Sequence, residues 1–240
     1  MGILPDSDMD VLAENSQYLF RNISITISVI LLITYAVSRV IFPKMFTSVY
    51  NFSKFGNFRI KEDFGSNIRL LSTENFYFTA ILSASISFVI LNIIIYTSDP
   101  LQSLSWLIPE TLGAGLLIWL LLTISIQVFF LLKYLFMSAF GALFNLPLSI
   151  SRHYQEMQGL NNCFVLILVG VAAVAVYSNF NFPVGLINVM IMGVLIYLLY
   201  RLLNIYIKLD QLKMYSKLYI FSYLCTTEII PSIIGYKLLF

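Results

Sequence analysis

Six mostly apolar stretches follow one another along this chain, at 22–42, 76–96, 112–132, 161–177, 184–204 and 218–239, joined by short connections. A hydrocarbon core about 30 Å thick takes roughly 20 apolar residues in helix. Lipid offers the backbone no hydrogen bonds, so a segment that crosses alone must satisfy its own polar groups as a helix. The pattern therefore predicts an all-α polytopic membrane protein, a bundle of six transmembrane helices, of which the fourth is the shortest. With 59% of 240 residues hydrophobic and 11% charged, no stretch is left for a soluble domain of even about 50 residues. A single integral membrane domain, 1–240, is expected.

Charge then orients the spans. Arg39, Lys44, Lys54, Arg59, Lys61 and Arg69 fall at the first connection, Lys133 and Arg152 at the third, and Arg201, Lys208, Lys213 and Lys217 at the fifth. Only Arg21 and Lys237 lie on the other side, so the positive-inside rule puts three basic connections in the cytoplasm and both termini outside. The segment 1–21 carries Asp6, Asp8, Asp10 and Glu14 with no basic residue before Arg21, the wrong charge for a signal peptide, and is expected to be extracytoplasmic.

Two segments do not fit a plain span. Residues 134–150 are apolar, but a seventh crossing there would change the basic split from 12:2 to 8:6. They are read as an interfacial or re-entrant helix after helix 3, interrupted near Gly141 and ended near Asn145-Leu146-Pro147, with a simple extension of helix 3 as the alternative. The cytoplasmic connection 43–75 interleaves Lys54, Arg59, Lys61 and Arg69 with Phe46, Tyr50, Phe52, Phe55, Phe58 and Phe64. Basic residues beside aromatics suit contact with anionic lipid headgroups; Glu62, Asp63 and Glu74 dilute the patch, and nucleic acid is not expected as a partner.

Small residues mark places where helices approach closely: Ala80, Ser83, Ala84 and Ser87 on one face of the second span, Gly170 with Ala172, Ala173 and Ala175 in the fourth, Gly185 and Gly193 in the fifth. Asn92, Gln127 and Asn188 read as interhelical hydrogen-bond formers. Cys163 and Cys225 fall on different helices without metal spacing and read as small buried residues rather than a disulfide.

Within the last span, Tyr223-Leu224-Cys225-Thr226-Thr227-Glu228-Ile229-Ile230-Pro231 contains a carboxylate with about a dozen mostly apolar residues on either side. A charge at the centre of a spanning helix costs about 2.5–3.5 kcal/mol even on insertion scales, so such residues face a bundle interior or a wet cavity. At 3.6 residues per turn Ser222, Cys225, Glu228, Ser232 and Gly235 share a face. Pro231 has no amide hydrogen, which frees the carbonyl of Thr227 and predicts a kink at the acid; the Thr226 and Thr227 hydroxyls are placed to bond back to earlier carbonyls. Glu228 is expected to be a protonated hydrogen-bond donor, a subunit contact, or a proton or cation site. With no second acid, lysine or arginine evident at its depth, a relay is disfavoured.

Catalytic signatures are missing. His153 is the single histidine, on an expected connection with Arg152, and neither HExxH, GxSxG nor a Gly-rich phosphate loop occurs. No enzyme activity, metal or cofactor is expected.

The C-terminal run 218–231, with its aromatic start and Tyr-Leu-Cys-Thr-x-Glu-Ile-x-Pro signature, resembles an uncharacterised family of multi-pass inner-membrane proteins from Bacteroidota. The likeness extends weakly over the second half of the chain, and Thr227 stands where that family favours an apolar residue. The resemblance implies a bacterial inner membrane and no particular activity.

Together these readings point to a non-enzymatic membrane subunit or assembly factor of a larger cell-envelope complex, such as secretion or motility machinery, with other integral membrane proteins as partners. The alternatives are a small proton- or cation-coupled transporter or channel using Glu228, and a lipid-handling membrane enzyme.

Overall fold

In a computed structural model the chain is described at residues 6–52, 73–96, 109, 111–143, 147–177, 184–211, 221–222 and 224–229. These residues form six α-helices: α1 (Asp6–Ile41), α2 (Pro43–Val49), α3 (Thr73–Tyr96), α4 (Leu112–Leu143), α5 (Pro147–Tyr177) and α6 (Val184–Gln211). A π-helical turn, Cys225–Ile229, follows, and no strand occurs among the described residues. Four helices carry segments long and apolar enough to cross a membrane: Tyr18–Ile41, Thr73–Ile94, Leu112–Ala139 and Glu156–Tyr177. The described residues are thus all helical, and four segments with the length and apolar composition of a membrane span are the mark of a membrane protein.

Proline sets two helix boundaries. Pro43 lacks the amide that would continue α1, and it occupies the first turn of α2, where that amide would be unbonded anyway. Pro147 does the same at the start of α5. For the expected segment 134–150 the alternative, a simple extension of helix 3, holds as far as Leu143, and the interruption near Gly141 does not. Tyr134 to Leu143 prolong α4 without a break at Gly141, and 147–150 open α5 instead of closing an interfacial helix. One interior glycine costs a helix only about 1 kcal/mol, too little to interrupt 32 residues rich in leucine and alanine. Ser151 to Tyr154, expected on a connection, are helical for the same reason. The fifth connection is likewise shorter than expected, because α6 runs on to Gln211 and takes in Arg201 and Lys208.

The contacts divide the chain into two compact units. The first comprises Met1–Ile41, Ala80–Ile126 and Val165–Met190; the second comprises Phe42–Thr79, Gln127–Phe164 and Ile191–Phe240.

The first unit is held by hydroxyls, amides and close backbone approach. Ile23, Ser24, Ile27, Ser28 and Leu31 form the buried face of α1. Ser24 donates to the Asn92 Oδ1 at 2.9 Å, and the Tyr35 and Ser85 hydroxyls share a bond of 2.8 Å. The small-residue face of α3 is packed as expected: Ser83 and Ser87 are buried, and the Trp119 indole of α4 donates to the Ala84 carbonyl at 3.0 Å. A second close approach was not foreseen, at Gly115, where a Cβ would stand 2.7 Å from the Ile23 Cδ1. Gly170 departs from expectation. It is exposed, with nothing within 4 Å of where its Cβ would be, so its smallness serves no contact among the described residues.

In the second unit α2 packs through aromatics. Tyr50, expected at a lipid surface, is buried; it lies 4.6 Å from Phe46 and 6.2 Å from Phe78, ring centre to ring centre, and donates to the Asn162 Oδ1 at 3.2 Å. Its hydroxyl finds a partner in that interior, which outweighs the interfacial preference of an aromatic. Lys54, Arg59, Lys61 and Arg69 lie outside the described residues.

Candidate functional site: a buried carboxylate between two cations

Antiparallel α5 and α6 are matched along a polar seam inside the second unit. Phe164 stacks on Tyr197 at 3.9 Å with rings nearly parallel, Asn161 faces Tyr197 and Arg201, and Glu156 faces Lys208. Successive pairs step up one helix and down the other. On α6 the stripe Tyr197, Arg201, Asn204 and Lys208 recurs at intervals of four, three and four residues, one side of an α-helix, and all four are buried. In a helix otherwise rich in leucine, such a stripe needs partners, because a buried polar group without one costs about 1–3 kcal/mol.

Glu228 supplies the central partner. It is 1% exposed. The Lys133 ammonium of α4 donates to the carboxylate Oε2 at 3.0 Å and stands 2.9 Å from Oε1 as an ion pair, and the Arg201 guanidinium pairs with Oε2. Behind the guanidinium, Arg201 donates through its second terminal nitrogen to the Asn161 Oδ1 at 3.1 Å, and the Tyr197 hydroxyl donates to the same oxygen at 2.6 Å. Four parts of the chain thus converge on one acid. Ammonium and guanidinium groups have donors and no acceptor lone pairs. The carboxylate therefore accepts here, and the expectation of a protonated Glu228 donating a hydrogen bond is not what this geometry shows.

The expected isolation of Glu228 is also overturned, since Lys133 and Arg201 stand within bonding distance of it. Both had been assigned to connections because the positive-inside rule sorts basic residues by position and is blind to partners. The signal that identifies them is local. Lys133 is followed by Tyr134-Leu135-Phe136-Met137, and Arg201 sits on the polar stripe of α6.

The turn carrying the acid is π-helical over Cys225–Ile229. Such turns occur singly within α-helices and concentrate at functional sites. The wider turn undoes the expected face: Ser222 is exposed and Cys225 half-buried with a free thiol, whereas Leu224 and Glu228 are the buried pair. The Thr226 hydroxyl bonds back to the Ser222 carbonyl at 2.8 Å, as its position predicts. Thr227 lies in the same turn, and Pro231 lies outside the described residues.

Around this centre the second unit holds further polar pairs. The Gln158 amide donates to the Thr79 hydroxyl at 3.0 Å and the Asn75 carbonyl at 3.3 Å. Lys208 pairs with Glu156 at 2.8 Å, with the Glu156 side chain a quarter exposed. Cys163 is buried beside the Val49 carbonyl, the role expected of it.

Searches of curated proteins and of solved structures find no match. A family match covers residues 24–239, well beyond the second half to which the sequence resemblance was confined. It takes in α4, α5, α6 and the turn that carries Glu228, so every residue of the charged centre lies within the matched region. The chain belongs to the family described as "Domain of unknown function (DUF4271)".

Proposed function

We propose that this is a non-enzymatic, six-span protein of a bacterial inner membrane, of Bacteroidota type, with both termini periplasmic, and that it is a small proton-coupled transporter. Glu228 is the group that takes up and releases the proton. The observation that carries this reading is the pairing of one buried carboxylate with two buried cations. Two cations on one carboxylate leave one positive charge uncompensated among the described residues, and a buried charge is costly unless a further group pairs with it. The same two charges repel sodium or potassium, which favours the proton over a metal cation. With Lys133 and Arg201 set aside as partners of Glu228, the 12:2 distribution of basic residues becomes 10:2 and still supports the orientation, and the lipid-facing role of Lys54, Arg59, Lys61 and Arg69 belongs to the same picture.

The test is proton flux into liposomes containing the purified chain under an imposed pH gradient. Wild type should acidify the lumen and Glu228→Gln should not. Equal rates in the two would remove Glu228 from the pathway and defeat the proposal.

A second reading is a non-enzymatic subunit or assembly factor of an envelope complex, for which one observation speaks: only 11% of the most apolar window of α4 is buried. That face meets either lipid or another membrane protein. Mass spectrometry of what co-purifies from native membranes in mild detergent decides, with a stoichiometric membrane partner expected on this reading and a lone chain on the first.

A further inference from the structure

The charges around Glu228 do not sum to zero. One carboxylate serves Lys133 and Arg201, and the other carboxylate paired on these helices, Glu156, is engaged by Lys208. Two polar atoms nearby, the Arg201 Nε and the Asn204 Oδ1, are buried without a hydrogen-bond partner among the described residues. The guanidinium is thus one donor short of full use. Its terminal nitrogens bond Glu228 and Asn161, while the Nε–H, which with a terminal N–H makes a side-on fork for an oxyanion, is idle.

Resting on the proton-coupled reading above, we propose that Lys133 and Arg201 form a binding site for a small oxyanion, which the Glu228 carboxylate occupies in this structure and vacates when it is protonated. Among the described residues, the charged and titratable groups at the site are Lys133 from α4, Arg201 and Tyr197 from α6, Cys163 from α5, which interacts electrostatically with Tyr197, and Cys225 on the acid's own turn. None of them is a second carboxylate. With Glu228 ionised the clamp carries one net positive charge; with Glu228 neutral it carries two and has lost its acceptor. A monoanion entering at that moment returns the net charge to one and supplies acceptors for both cations and the idle Nε–H. Proton and anion therefore favour each other at this site, and linkage requires the effect to be reciprocal. The transfer is electroneutral, one proton with one monoanion, and no bond beyond the O–H on Glu228 forms or breaks. A planar oxyanion such as nitrate or a short carboxylate matches the guanidinium fork; a metal cation is repelled by it.

Nitrate is the probe, with gluconate, too bulky for a site filled by one carboxylate, as the control anion. Two measurements on the full chain separate the inference from the reading beneath it. In liposomes held at zero potential, proton influx should be about tenfold faster with nitrate than with gluconate. In detergent, Glu228→Gln should bind nitrate about tenfold more tightly than wild type, because the internal competitor is gone, and its thermal midpoint should rise with nitrate and not with gluconate. Glu228→Asp, which keeps the charge on a shorter stem, covers the case in which Glu228→Gln does not fold and should also bind nitrate more tightly than wild type. Exchanging Lys133 as well, in Glu228→Gln/Lys133→Gln, should abolish the nitrate effect. Proton flux indifferent to the anion, with no gain of nitrate binding in the variants, overturns the anion site and leaves proton transport standing. Nitrate binding by the variants without any proton flux keeps the site and removes the transport reading. Absence of both removes both.

Discussion

The two units of this protein solve the same problem, burying polar groups in an apolar bundle, with different chemistry. In the first, the buried polar side chains among the described residues are hydroxyls and amides, Ser24, Ser28, Ser38, Ser83, Ser85, Ser87 and Asn92, and several bond to carbonyls of their own helix. In the second, the buried set includes Arg201, Lys208 and Glu228, bonded to residues far away in the chain. Neutral hydrogen bonds between membrane helices contribute about 0.6 kcal/mol on average and up to about 1.7. They fasten helices and can be lost singly. A buried ion pair is different: desolvation offsets most of its attraction, so it contributes little net stability while making the removal of one partner cost about 3–5 kcal/mol. The first unit is tolerant, and the second is conditional on its charges.

The largest expected effect is therefore an asymmetry. Glu228→Leu should destabilise the protein by about 3–5 kcal/mol, whereas Asn92→Leu in the first unit should cost about 1 kcal/mol, both read from reversible unfolding in mixed detergent micelles. Equal losses would erase the distinction between the units.

The next effect is steric and lies in the first unit. Gly115→Ala puts a methyl 2.7 Å from the Ile23 Cδ1 and should cost about 1–3 kcal/mol as the side chain is displaced. Gly170→Ala, in open space, should be neutral or stabilise by up to about 1 kcal/mol through helix propensity. Thermal midpoints of the two variants check the pair, and a damaging Gly170→Ala would mean that α5 is covered at that point by another chain.

Smaller still is the outer ion pair. With Glu156 a quarter exposed and Lys208 buried, Glu156→Gln keeps a side-chain oxygen to accept from the ammonium and should cost about 1 kcal/mol, well below Glu228→Leu. A loss of similar size for the two would place both pairs in one continuous dry network.

The smallest effect concerns pH. Tyr154 lies before the apolar window of α5, and burial pushes its phenol above the ordinary value of 10.0, against a smaller opposing influence from its bond to the Thr79 hydroxyl. A raised folded value favours the neutral phenol. Its contribution to stability is thus complete below about pH 10 and is lost as pH rises through the shifted value. Tyr154→Phe should flatten the alkaline limb of stability against pH and leave neutral pH unchanged; an unaltered limb would show that Tyr154 does not titrate with unfolding.

What the sequence reveals divides along the same line. Spans two and three, the seam around Ala84 and the bonding of Asn92 are legible, because apolar length and small-residue spacing are local properties. Glu228 is legible as a residue needing explanation for the same reason. Its partners are not, since Lys133 lies 95 residues away and Arg201 27 residues away, and no local period links them. Helix extents between 134 and 154 were misjudged because glycine and proline were read as stops where packing and a first-turn position tolerate them.

The order in which the chain is made gives the buried carboxylate another consequence. Lys133 and Arg201 both leave the ribosome before Glu228 does. Until the turn carrying Glu228 arrives, the nascent chain carries these two basic side chains without the carboxylate that pairs with them in the folded protein. The turn that carries Glu228 is therefore the piece that completes the charged centre as the chain is made. A chain stopped short of residue 228 lacks the carboxylate that pairs with both Lys133 and Arg201.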